Sequence, residues 1–321
     1  MSDDLRATGR GHVPATEAHY VEDDEVLVEA AAGGPELKGR EATLWSDAWR
    51  QLRRRPIFVI SAIVVVILVL MAAFPQVFAL GLDPRDCQLQ NSLLRPSAEH
   101  WFGTDIQGCD YYARTVYGAR ASITIGILVT IFATLIALVG GAAAGYYGGA
   151  TDSLIARLTD IWFVIPTILG AIVVLSLFPT RGIMTVSLVL ILLSWPTMLR
   201  LVRSSVLSAK TQDYVDAARA MGASNLRIIT RHILPNSLAP VVVYATITVG
   251  VIISAEAALS FLGVGLQLPA ISWGLMISTA QQRIITAPHL LLFPGAILSV
   301  TVFAFILMGD ALRDALDPKL R

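Results

Sequence analysis

Residues 213–236 read DYVDAARAMGASNLRIITRHILPN and form a polar island between long apolar runs. Asp213 stands where a carboxylate can cap a helix, and Gly222 supplies the left-handed residue that ends one. Ser224 is placed to cap a second short helix, which Pro235 would stop. The spacing predicts a compact helical hairpin. Such a hairpin offers a surface on which a partner protein can dock.

The rest of the chain has the composition of an integral membrane protein. Hydrophobic residues make up 55% of its 321 residues and charged residues only 15%, a balance typical of that class. Lysine plus arginine equals aspartate plus glutamate, at 24 each, so the net charge is zero. This balance excludes an electrostatic nucleic-acid binder. The first apolar run is too long for a signal-peptide core, so no secretory signal is expected.

Apolar segments long enough to cross a bilayer recur along the chain. A bilayer core of roughly 30 Å takes about 20 helical residues. The segments are continuously apolar and do not alternate with polar residues, which favours helices over a barrel. The expected fold is therefore all-α and polytopic, with six transmembrane helices. They are predicted at Ile57–Leu80, Ile123–Tyr146, Ile161–Phe178, Ile183–Leu201, Leu238–Leu262 and Leu290–Met308.

Basic residues predict the orientation of these spans. The run Arg53–Arg55 directly precedes the first span, which places the N-terminus in the cytosol. Six crossings return the C-terminus, with Arg313, Lys319 and Arg321, to the same side. The island at 213–236 is flanked by further arginines and is predicted to be cytosolic as well.

The island at 213–236 also has the motif of a known family. The island resembles the EAA loop of permease subunits in binding-protein-dependent ABC importers, which has an acid and two alanines, three residues, Gly, nine residues, Ile, one residue and Leu-Pro. Asp216 replaces the usual Glu and His232 the usual Ile, and the RHILPN ending is similar to that of the dipeptide and oligopeptide branch. The resemblance implies that the island couples the spans to ATPases. The coupling residues would be Tyr214, Asp216, Ala217, Ala218, Arg219, Gly222, Leu234 and Pro235.

Three other blocks are similar to the C-type subunits of peptide permeases. They are HWFGTDIQGCD at 100–110, ALSFLG with SWG at 258–274, and GDALRDALDPKLR at 309–321. Cys109 stands where the first block usually has Arg. The resemblance implies the transmembrane domain of a type I ABC importer with a cytosolic coupling helix.

The same resemblance implies a division of the chain and a set of partners. A homologous B-type permease, two ABC ATPases, an extracytoplasmic substrate-binding protein, membrane lipid and a di- or oligopeptide substrate are expected, in a bacterial inner membrane. The predicted parts are an acidic, disordered cytosolic tail at 1–45, an amphipathic lead-in helix at 46–56, the first span at 57–80, an extracytoplasmic loop at 81–120, a five-helix permease core at 121–309 with its coupling loop at 211–236, and a cytosolic C-terminus at 310–321.

The sequence lacks the motifs of an enzyme. It has no G-x-x-x-x-G-K-[ST] phosphate loop, no nucleophile elbow and no Cys/His metal cluster. The chain is therefore expected to be a non-catalytic subunit that binds no cofactor. ATP and Mg²⁺ would be bound by the partner ATPases.

Two further features of the sequence are a pair of cysteines and one acidic residue inside a predicted span. Cys87 and Cys109 are the only cysteines, and in an extracytoplasmic loop they are predicted to form a disulfide, with two free thiols as the alternative. Glu256 lies deep in the fifth span, where a charge costs about 2.5 kcal/mol or more. It is expected to face protein or water, where it lines the path, acts in gating or pairs with a buried donor.

The amino-acid sequence alone leaves several alternatives open. Gly141 and Gly145 form a G-x-x-x-G pair in the second span that allows a close helix approach, either to a partner permease or within the subunit. The same architecture could import nickel or another small solute. A stand-alone secondary transporter would need inverted repeats, broken spans or several ionisable residues along its path.

Overall fold

The computed structural model describes residues 49–316, and the predictions made for residues 1–48 and 317–321 lie outside this range. The described residues contain helices, turns and two isolated bridges, and no strand. Trp49–Leu52 are helical and continue the lead-in predicted at 46–56. The further helices are α1 (Pro56–Ala73), α2 (Pro75–Phe78), α3 (Tyr111–Tyr147), α4 (Gly149–Val164), α5 (Thr167–Ser176), α6 (Ile183–Lys210), α7 (Asp213–Ala220), α8 (Asn225–Phe261), α9 (Trp273–Ala280) and α10 (His289–Leu316).

Five of these helices, α1, α3, α6, α8 and α10, are long and apolar enough to cross a membrane. The pair α4 and α5 together is also long and apolar enough for a sixth crossing, with a bend of 81° between the two helices. The bend falls at Pro166, because proline lacks the N–H that a continuous helix needs and its ring clashes with the preceding turn. The span predicted at Ile161–Phe178 was therefore wrong in its bounds, since α4 begins at Gly149 and α5 ends at Ser176.

Several helices also extend beyond the predicted apolar runs. Helix α3 begins at Tyr111, where the Asp110 carboxylate accepts a hydrogen bond from the Ala113 N–H at 2.8 Å. The extracytoplasmic loop predicted at 81–120 is therefore shorter, since its last ten residues are helical. The predicted stop at Pro235 was also wrong: a π-helical stretch, Ile229–Ile233, carries the chain on into the long helix. The π turn accommodates a proline that cannot donate a backbone hydrogen bond.

Side-chain contacts define two ends of the helical bundle. At the island end, Arg55 pairs with Asp314 at 2.7 Å, and the Tyr146 hydroxyl donates to Asn225 at 2.8 Å. At the opposite end, which we call the disulfide end, the Tyr111 hydroxyl donates to the Leu290 carbonyl at 2.6 Å. The five long helices run between these two ends.

The most extensive helix contact in the described residues is the seam between α3 and α6. A Cβ atom on Gly141 would lie 2.8 Å from the Val202 Cβ and 2.9 Å from the Leu199 carbonyl oxygen. A Cβ atom on Gly145 would lie 2.9 Å from the Val206 Cβ. The G-x-x-x-G pair therefore serves packing within the chain, which settles the alternative that the sequence left open.

At the disulfide end, residues 79–110 form a structured loop. Cys87 and Cys109 are joined by a disulfide across a separation of 22 residues. The Asp105 carboxylate accepts hydrogen bonds from the N–H groups of Gln107 at 2.8 Å and of Cys109 at 3.0 Å. Gly108 has a φ of +77°, and a Cβ atom there would lie 1.9 Å from the Gln88 carbonyl oxygen. The loop is thus held by one covalent link and by close backbone contacts.

We expect loss of this disulfide to destabilise the protein measurably. Replacing both cysteines, Cys87→Ser with Cys109→Ser, should lower the free energy of unfolding by about 3 kcal/mol, because a loop of this length is no longer closed in the unfolded chain. Thermal unfolding of the purified protein with and without reductant measures the effect. Reductant should destabilise the wild type and leave the double variant unchanged, and equal stability of the two proteins without reductant would contradict the expectation.

Candidate functional site

The island folds as a helical hairpin. Helix α7 has eight residues and ends in a Schellman motif: the Ala223 N–H donates to the Ala218 carbonyl at 3.1 Å, and the Gly222 N–H to the Arg219 carbonyl at 3.0 Å. Gly222 has a φ of +79°, which a residue with a Cβ rarely adopts. At the start of the second arm, the Ser224 hydroxyl caps by accepting the Arg227 N–H at 3.4 Å. The predicted hairpin is present.

The first cap differs from its prediction. Gln212 is the N-cap of α7 and forms no side-chain cap hydrogen bond, whereas Asp213 is already the first helical residue. Its carboxylate, together with that of Asp216, lies in the first turn, where negative charge is favoured by the helix dipole. The two carboxylates therefore stabilise α7 through their interaction with the helix dipole and not through an N-cap hydrogen bond.

One face of α7 is buried in the bundle. Val215 and Ala218 are 0% and 1% exposed and pack in an apolar cluster with Val206 of α6 and with Ile228 and Ile233 of α8. Ala218 was assigned to partner docking from the sequence, and the structure corrects this: its side chain faces its own subunit. The reason is spacing, because residues three apart lie on the same helix face and Val215 is buried.

Polar contacts at the island end reinforce this anchor. The Tyr146 hydroxyl at the end of α3 donates to the Asn225 side chain, and Lys210 Nζ donates to the Tyr146 carbonyl at 2.5 Å. Leu234 is half-buried against the same apolar cluster, while Pro235 is exposed. These residues join the hairpin to α3, α6 and α8, so a displacement of the hairpin acts on three spans together.

The opposite face of the hairpin is exposed and unusually apolar. Met221 and Leu226, on either side of the turn, are 81% and 69% exposed, and Tyr214 is 38% exposed. Ala217 is also exposed and leaves a shallow area between larger side chains. Large exposed apolar residues that cluster in this way mark an interaction surface. Sequence reasoning missed Met221 and Leu226, although two large apolar side chains in a polar island were a usable signal.

Charged side chains surround this apolar surface. Asp216 and Arg219 form an exposed pair at 2.8 Å, which contributes at most about 1 kcal/mol. Arg227 and Arg231 are exposed and form no ion pair with any residue in 49–316. The surface is therefore apolar at its centre with charges of both signs around it, and Arg227 and Arg231 would complement acidic groups on a partner.

Glu256 lies far from the island, towards the disulfide end of α8. Its side chain is 0% exposed, and its carboxylate accepts hydrogen bonds from three serine hydroxyls. It forms no ion pair with the described basic residues. Pairing with buried donors, one of the roles expected from the sequence, is present in this geometry, and the roles in lining the path and in gating stay predictions.

The amino-acid sequence matches two family models. Residues 136–321 match the binding-protein-dependent transport system inner membrane component, and residues 43–96 match the N-terminal TM domain of oligopeptide transport permease C. The chain is 38% identical over 293 residues to the oligopeptide transport system permease protein OppC of Bacillus subtilis (strain 168), covering 91% of this chain and 95% of that protein. It is 39% identical over 287 residues to the dipeptide transport system permease protein DppC of Alkalihalophilus pseudofirmus, covering 89% and 94%.

Other relatives carry different cargo names. The glutathione transport system permease protein GsiD of Escherichia coli O6:K15:H31 is 38% identical over 283 residues, covering 87% of this chain and 92% of that protein. Among solved structures, the MetNI methionine ABC transporter in an inward-facing conformation matches with a TM-score of 0.51 at 19% identity, over 63% of this chain and 96% of that one. This last likeness shows the fold alone, that of a type I ABC importer permease. By sequence, the chain belongs to the family of inner membrane components of binding-protein-dependent transport systems.

Proposed function

We propose that this permease subunit imports di- or oligopeptides across a bacterial inner membrane, with the island end in the cytosol. The peptide cargo is supported by the names of the relatives OppC and DppC, which match over most of the chain. The orientation is supported by the basic residues at the island end, Arg53–Arg55 and Arg313 among them. The disulfide at the opposite end fits an oxidising compartment.

The single observation that carries the coupling role is the exposed apolar face of a hairpin anchored to three spans. A partner bound to Met221 and Leu226 holds the hairpin from outside, while Val215 and Ala218 hold it from inside. Movement of the partner then moves α3, α6 and α8. We assign this partner role to two ABC ATPases, which would bind ATP and Mg²⁺ and carry out the hydrolysis.

The assembly needs further subunits. A homologous B-type permease would form the other half of the translocation path, and an extracytoplasmic binding protein would deliver the peptide at the disulfide end. Shifting the transporter from 1:99 to 99:1 between two conformations requires about 5.5 kcal/mol of differential binding. ATP binding at the ATPases would supply this free energy through the island.

The docking surface is tested by changing its apolar centre. Met221→Asp with Leu226→Asp should weaken ATPase co-purification about tenfold, because two carboxylates replace exposed apolar side chains and would repel acidic groups on the partner. Peptide uptake should fall in proportion. Both positions are exposed, so the fold should not change.

Ile285 offers a matched control. It is 92% exposed in the segment between α9 and α10, at the disulfide end. Ile285→Asp should leave ATPase co-purification at the wild-type level. Normal co-purification and uptake in the Met221/Leu226 double variant would refute the assignment of this face to the ATPases.

A further inference from the structure

The segment Leu262–Ser272, which links α8 to α9, separates two cavities at the disulfide end. A cavity of about 90 Å³ lies on one side, lined by Asp105, Tyr111 and Arg114. A cavity of about 620 Å³ lies on the other, lined by Arg85 and Arg120 among others. Ala270 and Ile271 of the linker line both cavities. Displacing the linker would therefore join the two spaces.

Glu256 holds this linker through three serine relays. In each relay a backbone N–H from the linker or the start of α9 donates to a serine oxygen, and the serine hydroxyl donates to the Glu256 carboxylate. In the first relay the Leu266 N–H donates to Ser260 at 3.2 Å, and the Ser260 hydroxyl donates to Oε1 at 2.8 Å. In the second the Leu275 N–H donates to Ser272 at 3.2 Å, and the Ser272 hydroxyl donates to Oε1 at 3.1 Å. In the third the Trp273 N–H donates to Ser122 at 3.4 Å, and the Ser122 hydroxyl donates to Oε2 at 3.1 Å.

Donor counting shows why a carboxylate stands at this position. Each serine has one hydroxyl proton, and its oxygen already accepts a backbone N–H, so each proton is directed to Glu256. The two carboxyl oxygens offer enough lone pairs to accept all three protons. An amide would offer N–H₂ in place of Oε2, facing the Ser122 oxygen. The Ser122 oxygen can accept this amide N–H, so a glutamine fits the space but reverses that hydrogen bond and leaves the Ser122 hydroxyl proton without its carboxylate acceptor.

Close packing leaves the start of α9, to which the linker is joined, little freedom for partial movement. A Cβ atom on Gly274 would lie 2.5 Å from the Ala257 Cα, and one on Gly118 would lie 3.1 Å from Trp273 Cδ1. Trp273 is 0% exposed, and its Nε1 donates to the Thr115 carbonyl at 2.9 Å. Closely packed contacts of this kind have discrete arrangements and do not deform continuously.

From these observations we infer that Leu262–Ser272 is a gate of the translocation path and that Glu256 is its positioning residue. In the seated state the three relays hold the linker between α3 and α8, and the cavities stay apart. In the open state Ser122 and Ser272 leave the carboxylate, and the cavities join. The gate lies at the end opposite the island, so it is distinct from the ATPase docking surface. Its link to uptake rests on the proposed function.

A single-cysteine accessibility assay tests the gate. Leu266 is 3% exposed in the linker, and both native cysteines are in the disulfide, so Leu266→Cys introduces the one reactive thiol. The full transporter in proteoliposomes is treated with a membrane-impermeant maleimide. We expect Glu256→Gln to speed labelling at position 266 at least tenfold and to reduce uptake.

Two buried serines give a matched pair of variants. Ser122 and Ser187 are both 0% exposed, but only Ser122 donates to Glu256, whereas the Ser187 hydroxyl has no hydrogen-bond partner among the described residues. Ser122→Ala should speed labelling of Leu266→Cys severalfold, and Ser187→Ala should leave it unchanged. Leu268→Cys, at a position that is 68% exposed, should be labelled rapidly in every background and reports on reagent access.

The outcomes separate the gate from the transport assignment. Unchanged labelling at position 266 in Glu256→Gln overturns the gate, whether or not uptake falls. Equal effects of Ser122→Ala and Ser187→Ala also overturn it, because they would reflect general loosening. If Glu256→Gln speeds labelling but the wild-type transporter takes up no peptide, the gate is kept and the peptide cargo is overturned.

Discussion

Ala218→Trp should abolish uptake almost completely. Ala218 is 1% exposed and its side chain lies in the apolar cluster shared by α6, α7 and α8. Extra methylenes in a close-packed core already cost about 1 to 3 kcal/mol, and an indole ring adds far more volume than that. We expect a cost of at least about 3 kcal/mol, which corresponds to a more than 100-fold loss of the anchored hairpin. Helix α7 would then separate from α6 and α8, against which it packs.

The neighbouring Ala217 supplies the control for this change. Ala217 is exposed on the other face of α7, so Ala217→Trp should leave the hairpin anchored. Limited proteolysis of the 211–236 region distinguishes the two variants: Ala218→Trp should be cleaved readily, and Ala217→Trp should resist like the wild type. Ala217→Trp should instead weaken ATPase co-purification, because its ring projects into the proposed interface. Protease resistance and normal uptake in Ala218→Trp would contradict the anchored hairpin.

These two alanines also show what the island sequence can predict. The existence of the hairpin followed from local features, since Gly222 needs a positive φ and Ser224 caps the next helix. Its orientation did not follow, because the sequence of an eight-residue helix with only Val215 and Tyr214 as large apolar residues does not show which side meets the bundle and which side meets a partner. Which alanine is buried depends on contacts with α6 and α8, residues distant in the chain. The exposed Met221 and Leu226 could have been found by their contrast with the polar island.

In the membrane spans, too, the local sequence determines some features and contacts with distant residues determine others. Hydropathy found each crossing, because each must bury a long apolar surface in lipid. It misplaced the start of α3 at Ile123, since the polar first turns are helical through the Asp110 cap and through contacts such as Tyr111 with Leu290. The 81° bend before α5 could be anticipated at Pro166, but its size could not. The partners of Glu256 come from α3, α8 and the linker before α9, and sequence spacing identifies only Ser260, one turn away.

Replacing both seam glycines, Gly141→Leu with Gly145→Leu, should prevent the chain from folding stably. Each new Cβ atom would lie within 3.0 Å of a backbone carbonyl oxygen of α6 as well as of a valine side chain. A flexible side chain could move aside, but a backbone carbonyl can yield only if α3 and α6 separate. Each overpacked position costs about 1 to 3 kcal/mol, so the pair removes much of the roughly 5 to 15 kcal/mol that stabilises a typical domain.

The isolated subunit is the right object for this measurement. If the glycines contacted a partner permease, the isolated chain in detergent would tolerate both leucines and only assembly of the complex would fail. Because the close contacts lie within the chain, we expect thermal unfolding of the isolated double variant at a much lower temperature than the wild type. Gly295→Leu on α10 is the control: no atom lies within 4 Å of the new Cβ position, and leucine favours helix by up to about 1 kcal/mol over glycine. A wild-type unfolding temperature for the isolated double variant would reassign the seam to the partner.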